Sequence, residues 1–350
     1  MKGKASIKTI SELTGFSSAT VSNALRNKRG VSRETVEIIL KAARETGYLS
    51  ESRVESIRLV IYKAGGEVVN DSPFFASLIA GVEEESRNSG YETVFYNLRR
   101  EDPEYEERLE ELLNDPSSAL LILATELSPE EAKAFLKARS PVVMLDNWYE
   151  ELPFNAVLID NTDAALKAVS YLASMGHREI GYLQSSYPIK NFYYRSEGYR
   201  RALHENGLSC SPEQIFRLRP SMEGACEDMA AALLKKPKLP TAFFADNDII
   251  ALGAVRALQQ AGFRVPEDVS VVGFDDLPFC AISDPPLTTI RVYNRQMGCA
   301  AVRRLLELMR KDEGEAYKAK IQICSSFVER GSVLDRRTLQ KSEAAPENPE

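Results

Sequence analysis

The feature that most constrains this chain is a long alternation of short apolar runs with helix-length segments. From Ser56 to Asp160 the runs are SIRLVIY, YETVFY, ALLILA, PVVMLD and NAVLID, separated by segments such as FFASLIAGVEEESRNSG and SPEEAKAFLKA. After Asp160 the rhythm restarts. NTDAALKAVSYLASMG precedes EIGYLQ, RSEGYRRALHENG follows it, and TAFFA, NDIIALGAVRALQQAG and VSVVGF complete the series. Strands apolar on both faces and spaced by helices belong to parallel sheets covered on both sides. The fold class is therefore α/β, with two doubly wound parallel-sheet lobes, and ligand chemistry is expected at the carboxyl ends of their strands.

The first 50 residues obey a different pattern. Around Thr9–Leu25, TISELTGFSSATVSNAL, the spacing predicts two short helices joined at Gly15, a glycine suited to a positive φ. Ile7, Ile10, Leu13 and Thr14 repeat at helical spacing in the first. In the second, Val21, Ala24 and Leu25 fall on one side, while Ser18, Ala19, Ser22, Asn23 and Arg26 fall on the other. Ser17 is placed to cap that helix. Ser32 is placed to cap a third, whose stripe is Val36, Ile39, Leu40 and Ala43 and whose stop is Gly47. Three helices with a tight turn between the first two make an all-α helix-turn-helix unit.

Charge gives this unit a direction. Residues 1–50 hold nine Lys or Arg and four Glu, a net of +5; since the whole chain carries −7, residues 51–350 carry −12. A basic head on an acidic body is the footprint of a phosphate-binding module. The small polar face of the second helix then suits close approach to base edges in a major groove. The plainer alternative is a helical subdomain whose serines are simply solvated.

Other classes find little support. MKGKASIKTI lacks the apolar run of a signal peptide and no stretch is long enough to span a bilayer, so a cytoplasmic location with no membrane partner is expected. Five cysteines at 210, 226, 280, 299 and 324 have no CxxC spacing, which favours buried free thiols over disulfides or zinc. Of the two histidines, His177 is better read as structural. Walker loops, metal-spaced clusters and nucleophile elbows are missing from the sequence, so neither enzyme chemistry nor a cofactor or metal is expected.

Over nearly its whole length the chain resembles the LacI/GalR family of bacterial transcription regulators. The resemblance is carried by TISELTGFSSATVSNAL, GVSRETVEIILKAARETGY, SPFFASLIAGVEEES, LIDNTDAALKAVSYLASMGHREIGYL, RSEGYRRAL, NDIIALGAVRALQQAGFRVPEDVSVVGFDD and PPLTTI, in that order and spacing. It implies a homodimer that binds near-palindromic operator DNA, and a small-molecule effector, expected to be a sugar, between the two lobes. On matching positions it implies that Ser18, Ala19 and Asn23 read bases while Ser17, Thr20, Arg26 and Lys28 hold phosphates. For the effector it points to Phe74, Phe75, Asp146, Arg195, Asn247 and Asp275, with Trp148 as an extra stacking surface. Carboxylate, guanidinium and amide groups suit paired hydroxyls, and aromatic faces suit the C–H surface of a sugar ring. Taken singly, each also has a plain reading: core for the phenylalanines, caps for the aspartates, a surface ion pair for the arginine, an exposed loop position for the tryptophan.

The implied domains are a helix-turn-helix head at 1–49, a hinge at 50–57, a two-lobed effector and dimerisation domain at 58–334, and a polar tail at 335–350 that is expected to be disordered. The hinge departs from the family pattern. LSESRVESIRLVIY places Ser50 and Glu51 where Pro and Asn are usual, and Val54 and Ile57 where Ala and Leu are usual, and it lacks several linker residues. Either a shortened helix keeps Val54 or Ile57 as its apolar tip, or the heads dock with little kinking of the DNA. The tail has no leucine heptad for a tetramerising coil. The competing functions are a cytoplasmic sugar-binding or sugar-modifying protein that uses the same two-lobe cleft.

Overall fold

The computed structural model describes residues 6–25, 31–46, 54–65, 68–69, 73–310 and 317–337. Three helices open the chain: α1 (Ile7–Thr14), α2 (Ser18–Leu25) and α3 (Arg33–Glu45). Their shared core is Ile10, Val21, Ala24, Ile39 and Ala43. Ser6 caps α1 reciprocally with Thr9, and Gly15 ends it at φ 74, a conformation that costs a glycine nothing. Leu13, expected on the apolar stripe, is instead 65% exposed. A helix of about two turns offers too little surface to bury all four positions.

The first lobe contains β1 (Ser56–Lys63), α4 (Phe74–Asn88), β2 (Glu92–Arg99), α5 (Tyr105–Asn114), β3 (Ser118–Leu123), the single turn α6 (Pro129–Ala132), β4 (Val142–Leu145) and β5 (Asn155–Ile159). The second contains α7 (Asn161–Ser174), β6 (Ile180–Ser185), α8 (Lys190–Glu205), β7 (Ile215–Leu218), α9 (Met222–Leu233), β8 (Ala242–Ala245), α10 (Asp248–Gln260) and β9 (Ser270–Val272). Then β10 (Thr289–Arg291) leads to α11 (Asn294–Arg310) and β11 (Lys320–Ile323), which return to the first lobe, and β12 (Ser326–Val328) pairs antiparallel with β10.

The first sheet runs β11-β5-β4-β3-β1-β2 and the second β7-β6-β8-β9, all pairs parallel. The two-residue period of a strand explains the continuous apolar runs. Ile57, Leu59, Leu121, Leu123, Val143 and Val157 enter the core under α4 and α11. Their neighbours Val60, Tyr62, Leu120, Ile122, Met144 and Leu158 enter the core that α5 covers with Tyr105, Leu109 and Leu112. In the second lobe the helix pairs α7–α8 and α9–α10 pack on the sheet. Gly198 allows the closest of these contacts, since a Cβ there would lie 2.3 Å from the Thr162 carbonyl oxygen.

The chain crosses between lobes three times: from β5 to α7, from β10 to α11, and from β11 to β12. The first and third crossings are tied by the Ser325 amide, which donates to Asp160 at 3.1 Å.

Several local expectations change. SPEEAKAFLKA makes one α-turn, capped by Ser128, and then tightens into a 3-10 turn at Lys133–Lys137. The last two residues of the expected hinge, Ser56 and Ile57, begin β1, and Ile57 is fully buried, so it cannot serve as an exposed apolar tip. Val54 precedes the strand without helical structure and packs against the same core. Glu55 is exposed and its amide donates to the Ser117 carbonyl at 2.7 Å, while hinge positions 50–53, together with Gly47 and most of the tail, lie outside the described residues. Cys280 is buried, but Cys210 and Cys324 are exposed, which corrects the expectation that all five thiols are buried.

Candidate functional site

Two regions bring the singled-out residues together. On the head, Ser17, Ser18, Ala19 and Asn23 are exposed along one side of α2, while Val21 and Ala24 are buried on the other. Ser17 caps the helix: its hydroxyl accepts from the Thr20 amide at 3.1 Å and lies 2.9 Å from the Thr20 hydroxyl. Thr20 and Ser22 are half-buried. Arg26 and Lys28 lie outside the described residues.

The second region lies between the lobes. Phe74, Phe75, Asp146, Arg195, Asn247 and Asp275 line a cavity of about 30 Å³, together with Val68, Thr125, Ile159, Ile189, Asn191 and Phe192. That volume holds about two waters, so a larger ligand must part the side chains or the lobes that line it. The phenylalanines open α4 and meet edge to face, with centroids 5.2 Å apart. Asp146 and Asp275 follow strands and hold φ of 66° and 121°, conformations that non-glycine residues adopt at a cost. Both backbone amides are pinned to neighbouring carbonyls: Asp146 to Val157 at 2.9 Å and Asp275 to Ile290 at 2.8 Å.

Arg195 stands at the centre. It is 3% exposed, its guanidinium lies 3.7 Å from the centroid of the Phe274 ring, and it donates to Asn161 Oδ1 at 2.9 Å, to the Asp246 carbonyl, and to Asp275 at 3.5 Å. Three buried carboxylates surround this one cation. Burial is the main cause that raises all three: Asp146 to about 6, Asp246 to about 7 and Asp275 to about 8. Arg195 opposes the rise in each case, whereas Asp248 and Asp146 add to it for Asp275. Asp146 also accepts from Thr125 at 2.7 Å and Asn191 at 3.0 Å, and Asp246 accepts from the Tyr182 hydroxyl and the Ser185 amide. Asn247 caps α10 through its Oδ1, which leaves its amide nitrogen without a hydrogen bond among the described residues.

Trp148 does not line this cavity. It lines a neighbouring one with Lys190, Tyr194, Lys320 and Gln322, because the chain after Asp146 turns away from the cleft. The sequence reading missed Asn191 and Thr125. Asn191 had a signal: it precedes Arg195 by four residues, one helical turn on the same face of α8. Thr125, two residues beyond β3, carried none. His177 is structural, held between the Thr241 hydroxyl at 2.9 Å and the Leu334 carbonyl at 3.1 Å.

A helix-turn-helix joined to two parallel-sheet lobes that close over a polar cleft defines a ligand-responsive DNA-binding regulator. The profile described as bacterial regulatory proteins, lacI family, matches residues 6–51, and that of the periplasmic binding protein-like domain matches residues 169–333. The HTH-type transcriptional repressor PurR of Haemophilus influenzae is 31% identical over 333 residues, covering 94% of this chain and 98% of its own. The repressor CytR of Escherichia coli is 32% identical over 307 residues, covering 87% and 90%. Among solved structures, a complex of the transcriptional regulator CelR with cellobiose superposes with a TM-score of 0.72 at 25% identity, covering 94% of this chain and 99% of its own. A lac repressor dimer bound to operator and the anti-inducer ONPF gives 0.71 at 26%, with the same coverage. The chain belongs to the LacI family of bacterial transcription regulators. No helix among the described residues is long and apolar enough to cross a membrane.

Proposed function

We propose that this regulator acts in the cytoplasm as a homodimer on near-palindromic operator DNA, with no catalytic activity, and that a neutral polyol such as a sugar is its effector. The observation that carries the effector class is the charge of the cleft. Asp146 and Asp275 line it with a single guanidinium between them, so a phosphate or carboxylate ligand would have to hold both carboxyls protonated. Hydroxyl groups can instead donate to these carboxylates and accept from Arg195 and the free amide of Asn247. Phe74 and Phe75 then cover the apolar face of the ring.

In this reading Ser18, Ala19 and Asn23 contact bases, and Ser17, Thr20, Arg26 and Lys28 contact phosphates. Asn23 can bond adenine through two atoms, and Ala19 can pack on a thymine methyl. Because the closed cleft has no room for the ligand, the effector acts on the opening equilibrium of the lobes, and the three crossings pass that change to the subunit arrangement and so to the spacing of the heads.

The test is selection of bound fragments from random DNA by the full-length protein, with and without a panel of neutral sugars, for the wild type and Asp275→Ala. A near-palindromic site is expected, with log K falling by roughly 0.9 per phosphate contact for each log unit of salt. Asp275→Ala should keep the site and lose the sugar response. Loss of operator binding in the absence of any sugar would count against Asp275 as an effector residue.

A further inference from the structure

The cavity that holds Trp148 has a different chemistry from the cleft beside it. It measures about 250 Å³, and Ile159 and Asn191 border both spaces. Asn191 stands as a partition, donating to Asp146 at 3.0 Å and accepting from Asn161 at 2.9 Å. Beyond it the carboxylates give way to ammonium groups. Lys320 Nζ rests 3.5 Å from the centroid of the Trp148 ring, and Lys190 Nζ rests 4.0 Å from it. Lys190 is also paired with Glu150 at 2.7 Å, whereas Lys320 has no ion-pair partner among the described residues. Gln322, two residues along the same strand and so on the same face, makes no hydrogen bond among the described residues. The rings of Trp148 and Tyr194 lie 5.9 Å apart and within 21° of parallel.

We propose that this cavity is a second ligand site, for a small molecule that carries a flat ring and a carboxylate or phosphate group. The unpaired ammonium of Lys320 and the second one on Lys190 provide the charge, and Gln322 provides an amide to orient the anion. An ammonium over an indole face is a modest attraction that a full ion pair outcompetes. Binding therefore draws Lys320 off Trp148 and frees the indole for the ring of the ligand. Partial desolvation against the indole lowers the Lys320 pKa, with Glu150 opposing the shift and Lys190 adding to it. The walls come from both lobes, with Trp148 and Lys320 on one and Lys190 and Tyr194 on the other. An occupant thus ties the lobes together and acts on the same opening equilibrium as the effector, from a separate site.

Trp148 is the only tryptophan in the chain, so its fluorescence reports on this cavity and on the lobes that wall it. The full-length protein is titrated with benzoate, adenosine monophosphate, inorganic phosphate and neutral benzyl alcohol, with calorimetry in parallel. Benzoate or the monophosphate should change the emission saturably, the former identifying a carboxylate and the latter a phosphate ligand, while benzyl alcohol does not. Lys320→Met, an exposed position, should weaken that binding at least tenfold, and Asp275→Asn should leave it within twofold, whatever becomes of the sugar response. The proposal falls if neither ring-bearing anion binds at millimolar concentration, if Lys320→Met binds as the wild type does, or if Asp275→Asn abolishes the signal and so places the probe in the cleft. Inorganic phosphate binding as tightly as the monophosphate would remove the ring from the ligand description.

Discussion

The cleft and the lysine cavity lie on either side of one asparagine, yet they differ in almost every physical respect. The cleft is closed, acidic and internally satisfied: Thr125, Asn191, Tyr182 and Arg195 direct hydrogen bonds at its carboxylates. The cavity is roomier and basic, and its Lys320 and Gln322 have no polar partners among the described residues. The difference teaches that one interlobe seam can hold ligands of opposite charge, provided a neutral residue separates the two fields. In the cleft the groups that would bind an effector also bind each other, so ligand binding there is an exchange of partners.

The largest effect should come from removing the cation on which the cleft depends. Arg195→Met leaves Asp146, Asp246 and Asp275 facing one another in a buried space. Breaking a buried pair of this kind costs about 3–5 kcal/mol above about pH 8, where all three carboxyls are ionised, which denaturant unfolding would measure. A loss under about 1 kcal/mol would mean that the carboxyls are already neutral and that the arginine is ordinary packing. Lys320→Met in the neighbouring cavity should change stability far less, because an exposed cation has water as its alternative partner.

A middle-sized effect separates the two sides by pH. A carboxyl raised in the folded state gives stability that is fully present below its unfolded value near 3.8 and is lost as pH rises through its folded value. For Asp146, Asp246 and Asp275 those folded values span about 6 to about 8. The melting temperature should therefore fall from about pH 4 to about pH 8 and level off above it, and Asp275→Asn should flatten the upper part of that slope. His177, lowered to about 4 by burial, titrates at the lower edge of this window; its own contribution is present above 6.5 and is lost as pH falls toward 4. An unchanged slope in Asp275→Asn would remove Asp275 as the source.

Much of the fold could be read from the sequence because the strands are apolar on both faces, and that pattern has few solutions. Strands such as β7 and β11 escaped because half of their residues face outward: IFRL and KIQI carry too little apolar signal over four residues. Asp146 and Asp275, expected at the cleft from the family pattern and their place after apolar runs, do line it together. Trp148 lines the neighbouring cavity, apart from the other expected effector residues, for a reason that no linear pattern encodes. Asp146 adopts a left-handed conformation, and the next two residues leave the cleft. Thr125 was missed because it reaches the cleft from a loop after β3, through a hydrogen bond to Asp146 that only the pairing of β3 with β4 brings about.

The smallest predicted effect tests how the two sides share the work of holding the lobes closed. Glu150, on the first lobe, accepts from Lys190 at 2.7 Å and from the Tyr194 hydroxyl at 3.0 Å, both on α8 of the second. Its side chain is 60% exposed, so the ion pair is screened and is worth about 0.5 kcal/mol. Glu150→Ala should thus shift the ratio of closed to open lobes only about twofold, visible as a small change in Trp148 emission and a slightly tighter sugar response. Lys190 still donates to the Trp148 carbonyl at 2.7 Å in that variant, and Asn191 still holds Asp146. If Glu150→Ala instead opened the lobes fully, the surface latch would outweigh the buried carboxylates, and the acidic cleft would be a place prepared for the ligand with no share in closure.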